Sequence, residues 1–418
     1  MRWVIWAFAA CFYFYEYLLR VSPSTMVPEL MSAFSLNAAE IGILGGAFFF
    51  TYAPMQIPVG ILMDRFGARK LLTYASIACG IGAFVFGISQ TLSLLYVGRL
   101  LIGAGASFAF VAMVFVCSHL FEKSKRALLV GLANSIAMLG GLAGEGPLSS
   151  TIHQIGWRWT MIILGFIGVA LGFLIFLTLF NHNPKSENLD DSVKPNESPF
   201  ALFEGIKTLF HSGQSWLNAI IALLYYMTTS ALTGLWGIAF IQTGYGVNKV
   251  IAGYAISMLF VGWLLGGPLM GAISDRLGNR KKVISVTIFL TTLSILPVIY
   301  WTAMPLFLTY ILLFFVGLFS SAQLLNFTFS TEINPHQIKG TAIACTNFIV
   351  AVGSAAILPL IGLFLDMTSK DGSAGNFASY TRGDYKQALT ILPVCLIVAW
   401  FLTFFLNEGK RNKDPSRD

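Results

Sequence analysis

The chain has 418 residues, of which 56% are hydrophobic and 11% charged, with a formal net charge of +7. A soluble protein of this size carries about 25% charged residues, so the composition excludes a water-soluble globular fold and makes lipid the main solvent. The surplus apolar residues fall in runs of about 20, the length that crosses a hydrocarbon core of about 30 Å.

In chain order the runs lie at 3–32, 40–62, 71–90, 93–118, 127–150, 157–180, 215–243, 250–273, 282–301, 305–330, 340–366 and 386–407, twelve in all. In lipid each run must satisfy its own backbone polar groups, which predicts a helix for each; a barrel would show alternating segments of about ten residues. The first run carries charges, is too long for a secretory leader and is followed by no small-residue cleavage site, so it reads as a membrane helix. Residues 181–214 differ in kind. They begin NHNPKSENLDDSVKPNESP, rich in Asn, Ser, Pro and both charge signs, a composition that suits a flexible cytoplasmic linker. The expected organisation is an N-terminal six-helix bundle (1–180), the linker (181–214) and a C-terminal six-helix bundle (215–418).

The charges orient these bundles. An even number of spans puts both termini on one side, and 19 of the 26 Lys and Arg fall there, against five on the opposite side. The positive-inside bias places both termini in the cytoplasm. The same bias accounts for the net charge without a nucleic-acid partner, because the basic residues are scattered over short loops. Short loops suggest a bacterial inner membrane, and the expected unit is a monomer. Cys11, Cys79, Cys117, Cys345 and Cys395 all lie within spans with no C-x-x-C, so they are expected to be buried apolar residues rather than disulfides or metal ligands. No metal and no cofactor is expected.

The two halves repeat. At a shift of 211 residues, GILMDRFGARK (Gly60 to Lys70) falls on GAISDRLGNRK (Gly271 to Lys281), and upstream Gly42 meets Gly253. At a shift of 213, Asn134 and Gly140 meet Asn347 and Gly353. Each half has an even number of spans, so the copies share one orientation, a parallel repeat about an axis along the membrane normal.

The doubled G-x-x-x-D-R-x-G-x-R-K, between spans two and three and again between eight and nine, resembles the signature loop of the major facilitator superfamily. The resemblance covers the whole chain: twelve spans, 6+6 symmetry and a long central loop. Arg99-x-x-x-Gly103-x-Gly105 resembles the span-four arginine motif of that family, and GWRW at 156–159 is common there. The antiporter motif of span five, G-x-x-x-G-P-x-x-G-G, is not kept; the stretch reads GGLAGEGPLSS with Glu145 inserted, which makes the drug-antiporter branch a poorer fit. The chain also loosely resembles the branch containing lysosomal dipeptide carriers and their bacterial relatives, though no specific motif carries that. The resemblance implies an all-α membrane fold of two pseudo-symmetric bundles, with spans one, four, seven and ten lining a central cavity.

In the doubled loop, Asp64 follows span two, where its carboxylate can reach the N-terminal amides of a neighbouring helix. Gly67 permits a tight reversal and Gly60 a close helix approach. Arg65, Arg69 and Lys70 face lipid headgroups or carboxylates across the gap between the bundles. Asp275, Arg276, Gly278, Arg280 and Lys281, with Gly271, repeat the pattern. The resemblance implies that both clusters latch the cytoplasmic side in one state.

Four charges lie inside spans: Glu16, Arg20, Arg99 and Glu145. At 1.5 Å per residue they fall at depths of about 20 to 27 Å from the cytoplasmic end, one slab at or just beyond the midplane, and they sum to zero. A charge at that depth costs roughly 2.5–3.5 kcal/mol even on the lenient scale, so each must face protein or a water-filled cavity. Glu16 and Arg20, spaced i, i+4, could form a merely static local pair. The alternative is a substrate-binding or proton-coupling site: the resemblance implies that Glu16, Arg20 and Arg99 face the cavity with Glu145 supporting, and Glu16 or Glu145 could carry a proton. The matching positions of the second half are neutral, and the expected facing wall offers Tyr225, Tyr226, Trp236, Tyr310, Gln323 and Asn326.

No ATP-binding motif occurs and the five histidines lie far apart at span ends or in loops, which argues against an enzyme. The expected function is a secondary active transporter working by alternating access. Its solute would be small and zwitterionic, peptide- or amino-acid-like, with a proton as coupled ion. An organic anion held by the arginines, a siderophore among them, is the alternative, as is uniport.

Overall fold

The computed structural model describes residues 2–180, 208–209, 211–335, 338–369 and 376–407; the side chains of Gly60, Asp64, Arg65 and Arg69 also lie outside the described set, as does most of the linker. The described chain is almost entirely helical. Twelve helices are long and apolar enough to cross a membrane: α1 (Arg2–Phe34), α2 (Ala38–Gln56), α3 (Phe66–Ile88), α4 (Leu92–Leu120), α5 (Leu128–Ile155), α6 (Trp157–Thr178), α7 (Gly213–Tyr245), α8 (Lys249–Leu277), α9 (Arg280–Tyr300), α10 (Leu306–Glu332), α11 (Lys339–Thr368) and α12 (Arg382–Thr403). They match the twelve expected runs one for one and form two six-helix bundles. Bulky apolar residues also cover the outside, for example Phe166 at 63% and Phe173 at 56% exposure, as expected where lipid rather than water meets the surface.

The repeat is visible in the backbone. Gly67 has φ +76° and Gly278 φ +63°, so the glycine of each signature loop sits in the left-handed region, where a side chain would be strained. Both glycines therefore make the reversals expected of them. Helix breaks repeat too. α1 tightens to a 3-10 turn at Ser22–Met26, and α7 loosens to a π turn at Leu232–Trp236, about 211 residues on. α4 breaks at Ser107, and α10 breaks at Ser321–Gln323. Hydroxyls loosen these points by bonding carbonyls three residues back: Ser24 Oγ to Val21 O (2.8 Å), Ser107 Oγ to Ala104 O (2.7 Å) and Ser321 Oγ to Leu318 O (2.7 Å). In α1 the proline adds to the effect, since Pro23 has no N–H to return to Leu19.

The bundles meet along two seams, α2 against α11 and α5 against α8. On the side away from the termini both seams are shut. A Cβ added at Gly42 of α2 would lie 2.6 Å from the Leu358 carbonyl oxygen, and one at Gly253 of α8 would lie 3.2 Å from the Glu145 carbonyl oxygen and 3.1 Å from Gly146 Cα. Asp366, near the end of α11, accepts the first free amides of α2, Ala38 N–H (3.0 Å) and Ala39 N–H (2.8 Å), and also the Tyr380 hydroxyl (2.5 Å). Lys249 of α8 pairs with Glu29 of α1. On the termini side the packing is looser: a Cβ added at Gly131 of α5, Gly271 of α8 or Gly340 of α11 would meet nothing within 4 Å, while Asn347 of α11 still reaches Gln56 of α2. The bundles are thus tightly closed at the far side and more loosely packed toward the termini.

Candidate functional site

The site is built on α1. FYFYEYLLR (Phe12 to Arg20) forms helix up to the Ser22 break, so Tyr13, Glu16, Tyr17 and Arg20 fall on one stripe at i, i+3 and i+4 spacing. Glu16 is fully buried and its Oε1 forms an ion pair with Arg20, whose side chain is 11% exposed. The local pair suggested by the spacing therefore exists. Around it lies a cage of rings. The Arg20 guanidinium carbon sits 4.4 Å from the Tyr17 ring centre, 4.8 Å from Tyr52 and 5.2 Å from Phe48, within the range where a ring face attracts a cation. Phe48 and Tyr52 are one turn apart on α2 and stack at 5.4 Å.

The second bundle reaches the same spot. Tyr226 of α7 lies close enough to Arg20, Tyr52 and Glu16 for their charges to act on it; its ring stands edge-on to Trp263 of α8 at 6.0 Å. Toward the termini, Asn347 of α11 donates to Gln56 Oε1 of α2 (2.8 Å), a polar link between the bundles. Among the described residues, Glu16 Oε2 and Arg20 Nε have no hydrogen-bond partner. Buried polar groups are normally satisfied, so an unfilled bonding valence on each member of a buried pair is an exception.

Arg99 has a different place from the cavity wall expected of it. It is 1% exposed, and its fork is occupied by backbone: Nη1 donates to Leu19 O (3.1 Å), and Nη2 to Arg20 O and Gly45 O (3.3 Å each). The Leu19 carbonyl, which Pro23 leaves without its i+4 amide donor, also accepts from Ser22 Oγ (2.9 Å). Arg99 thus braces the break in α1 against α2 and α4, and holds Arg20 from behind without offering a free fork. Glu145 lies apart from Arg20, at the α1–α5–α8 junction, with Oε2 accepting from Ser24 Oγ (2.8 Å).

Of the expected facing wall, only Tyr226 joins the pair. Tyr225 is fully buried inside the second bundle, donating to Phe319 O (2.6 Å). Tyr310 donates to Ile251 O (2.8 Å) at the outer surface of α10, beside Phe307 and Ile311, which are 67% and 44% exposed. Trp236 donates to Leu358 O (2.9 Å), and Asn326 exchanges hydrogen bonds with Asn218. Sequence reasoning missed Tyr17, Phe48, Tyr52 and Gln56. Phe48 and Tyr52 left a trace in their i, i+4 aromatic spacing; Trp263 left none.

In the second signature loop, Arg280 bridges Asp275 (2.9 Å) and Glu332 (3.0 Å) and donates to Ser274 Oγ (3.1 Å). Lys281 donates to Phe404 O and Leu406 O, closing the end of α12. Arg276 is exposed, as is Lys70 in the first loop.

The sequence model of the Major Facilitator Superfamily matches residues 7–262 and 219–418, the whole described bundle pair. The chain belongs to that superfamily. Among superfamily members, it is 25% identical to the probable sulfoacetate transporter SauU of Cupriavidus necator over 66% of each chain. It is 26% identical to the membrane sensor protein UhpC of Escherichia coli over 66% of this chain and 65% of that one. A probable hexose phosphate transport protein of Chlamydia trachomatis is 22% identical over 82% of this chain and 80% of its own. The chain thus spans just under two thirds of the length of the first two relatives. Among solved superfamily structures, a bacterial homologue of the human lysosomal transporter Spinster, inward-facing and unoccupied, superposes with a TM-score of 0.78 at 16% identity, over 97% of this chain and 96% of that one. The nucleoside transporter NupG superposes with a TM-score of 0.73 at 14% identity, over 96% and 99% of the two chains. At such identities these structures share the fold. Of the three sequence relatives, two are described as transport proteins and one as a membrane sensor.

Proposed function

We propose that this superfamily member carries a small organic anion by alternating access, together with a proton, and that Arg20 is the anion's ligand. The supporting observation is the Arg20 cage: one guanidinium at the meeting of the two bundles, walled by Tyr17, Phe48 and Tyr52, with Glu16 as its carboxylate partner and Tyr226 from the second bundle beside it. A planar fork suits carboxylate, sulfonate or phosphate oxygens. The relatives point the same way, one described as a sulfoacetate transporter and one as a hexose phosphate transport protein. The anion is preferred over the zwitterionic peptide because Glu16, once protonated to release Arg20, has no charge left to hold an ammonium group.

Coupling follows from the same pair. An anion and Glu16 compete for one guanidinium. A proton on Glu16 removes its charge and frees Arg20, so a proton and an anion enter together and the site stays neutral. The tightly closed far side and the more loosely packed termini side correspond to one of the two access states; the second needs the bundles 1–180 and 215–418 to rock about the seams on the linker 181–214. The excess of Lys and Arg on the termini side makes that side cytoplasmic and the bacterial inner membrane the setting. The doubled loop then latches the cytoplasmic side in the opposite state.

The test is uptake into proteoliposomes of labelled carboxylates, sulfonates, phosphate esters and dipeptides, with and without an imposed pH gradient. Anion uptake that rises with external acidity and is lost in Arg20→Lys is expected. Dipeptide uptake without anion uptake refutes the solute class, and uptake indifferent to every pH gradient refutes the coupling. The double change Glu16→Gln with Arg20→Gln leaves no unpaired charge; it should fold yet carry nothing, and restored uptake would make the pair a static one.

A further inference from the structure

A second buried carboxylate stands outside the Arg20 cage. Glu145 occupies the break in α5, between the helical segments Lys123–Ala143 and Gly146–Ile155, and is fully buried. Its Oε2 accepts from Ser24 Oγ (2.8 Å); its Oε1 has no hydrogen-bond partner, and no Lys, Arg or His among the described residues forms an ion pair with it. The elements packed around it supply no countercharge. From α8 come Gly253, the Tyr254 ring against Gly146, and Ser257, whose hydroxyl accepts the Gly146 N–H (3.1 Å). Lys249 of α8 is paired with Glu29 of α1, Arg20 of α1 with Glu16, Arg158 of α6 donates to Gly87 O, and His153 of α5 is exposed.

The repeat shows what packing alone requires there. At the shift of 213, Glu145 corresponds to Leu358. The two residues occupy the two far-side seams in the same way: the Glu145 carbonyl faces Gly253 of α8 and the Leu358 carbonyl faces Gly42 of α2, and those glycines are themselves repeat mates. A leucine closes one seam, so a carboxyl group is not needed to close the other. An isolated ionised carboxylate at this depth costs several kcal/mol. A neutral carboxyl, by contrast, fits where the mate has a neutral leucine.

We infer that Glu145 is a proton-binding site of the far-side seam, separate from the Arg20 pair, occupied while α5 and α8 are closed and emptied when the seam opens. The proton comes from water on the far side and returns to it, because opening that seam is what exposes Glu145. The residue therefore reports the acidity of the far side and carries no net proton across. Acid on that face favours closure, which commits a loaded protein to release on the other face; alkali favours opening. This inference rests on alternating access, and is independent of the solute chosen above.

The experiment uses the full chain in lipid, without solute, its five cysteines replaced and spin labels placed at Gln154 and Thr302, exposed positions at the far ends of the two bundles. The ratio of open to closed far-side seam should rise with pH, approaching tenfold per pH unit across the titration of one proton. Glu145→Gln and Glu145→Leu should stay closed and flat with pH. Glu16→Gln should keep the parent's pH profile at this seam while losing uptake, which separates the gate from the binding site. A parent ratio flat with pH, or a Glu145→Gln profile equal to the parent's, overturns the inference. A seam that responds to Na⁺ at constant pH in place of acid overturns the proton as the ligand.

Discussion

Gly42→Ala tests the far-side seam directly. The added Cβ would stand 2.6 Å from the Leu358 oxygen, 2.6 Å from Pro359 Cα and 2.9 Å from the Leu358 carbonyl carbon. All three are backbone atoms of α11, so no side chain can rotate away. An ordinary contact of about 3.5 Å requires the helices to separate by about 0.9 Å. That separation also lengthens the Ala38 and Ala39 bonds to Asp366, now 3.0 and 2.8 Å, one turn away. Overpacking of this kind costs about 1–3 kcal/mol. The clash exists only while the seam is shut, so the cost falls on the closed state and lowers its ratio to the open state roughly 5- to 150-fold. Gly271→Ala is the control, because its Cβ meets nothing within 4 Å. The assay is the distance distribution between spin labels at Gln154 and Thr302, read with transport rates. A longer far-side distance is expected in Gly42→Ala alone. Equal distributions in Gly42→Ala and the parent, or an equal shift in Gly271→Ala, refute the reading of the seam as a gate.

Asp366→Asn should likewise favour the open far side, by about tenfold, since it withdraws a full charge from amides at the start of α2; an unchanged label distance counts against the cap. Arg99→Gln should remove the donors that tie the Leu19, Arg20 and Gly45 carbonyls to α4, at about 1–3 kcal/mol in all, lowering the melting midpoint in detergent by several degrees, and parent-like melting would argue against the brace. Asp64→Asn should slow transport while leaving membrane insertion intact; a normal rate would remove the latch role of the first signature loop.

Much of this protein is written locally. Twelve apolar runs give twelve helices because lipid leaves the backbone no other partner. The repeat shift of 211 residues pairs Gly67 with Gly278, and both adopt a positive φ. The i, i+4 spacing of Glu16 and Arg20 predicts the ion pair that forms. Pro23 alone implies that the Leu19 carbonyl lacks its helical donor. None of this says that Arg99 of another helix joins the nearby Ser22 hydroxyl on that carbonyl. Hydropathy and counting fix depth along the membrane normal, and they put Glu16, Arg20, Arg99 and Glu145 in one slab. They do not fix rotation about each helix axis, which is set by packing against neighbours. Rotation separates Tyr226, at Arg20, from adjacent Tyr225, buried within its own bundle, and turns Tyr310 outward to Ile251. The same packing turns Arg99 into a brace and leaves Glu145 without a countercharge. Depth is a one-dimensional property of the sequence; partnership across a bundle depends on azimuth and close approach, and those exist only once the helices have packed.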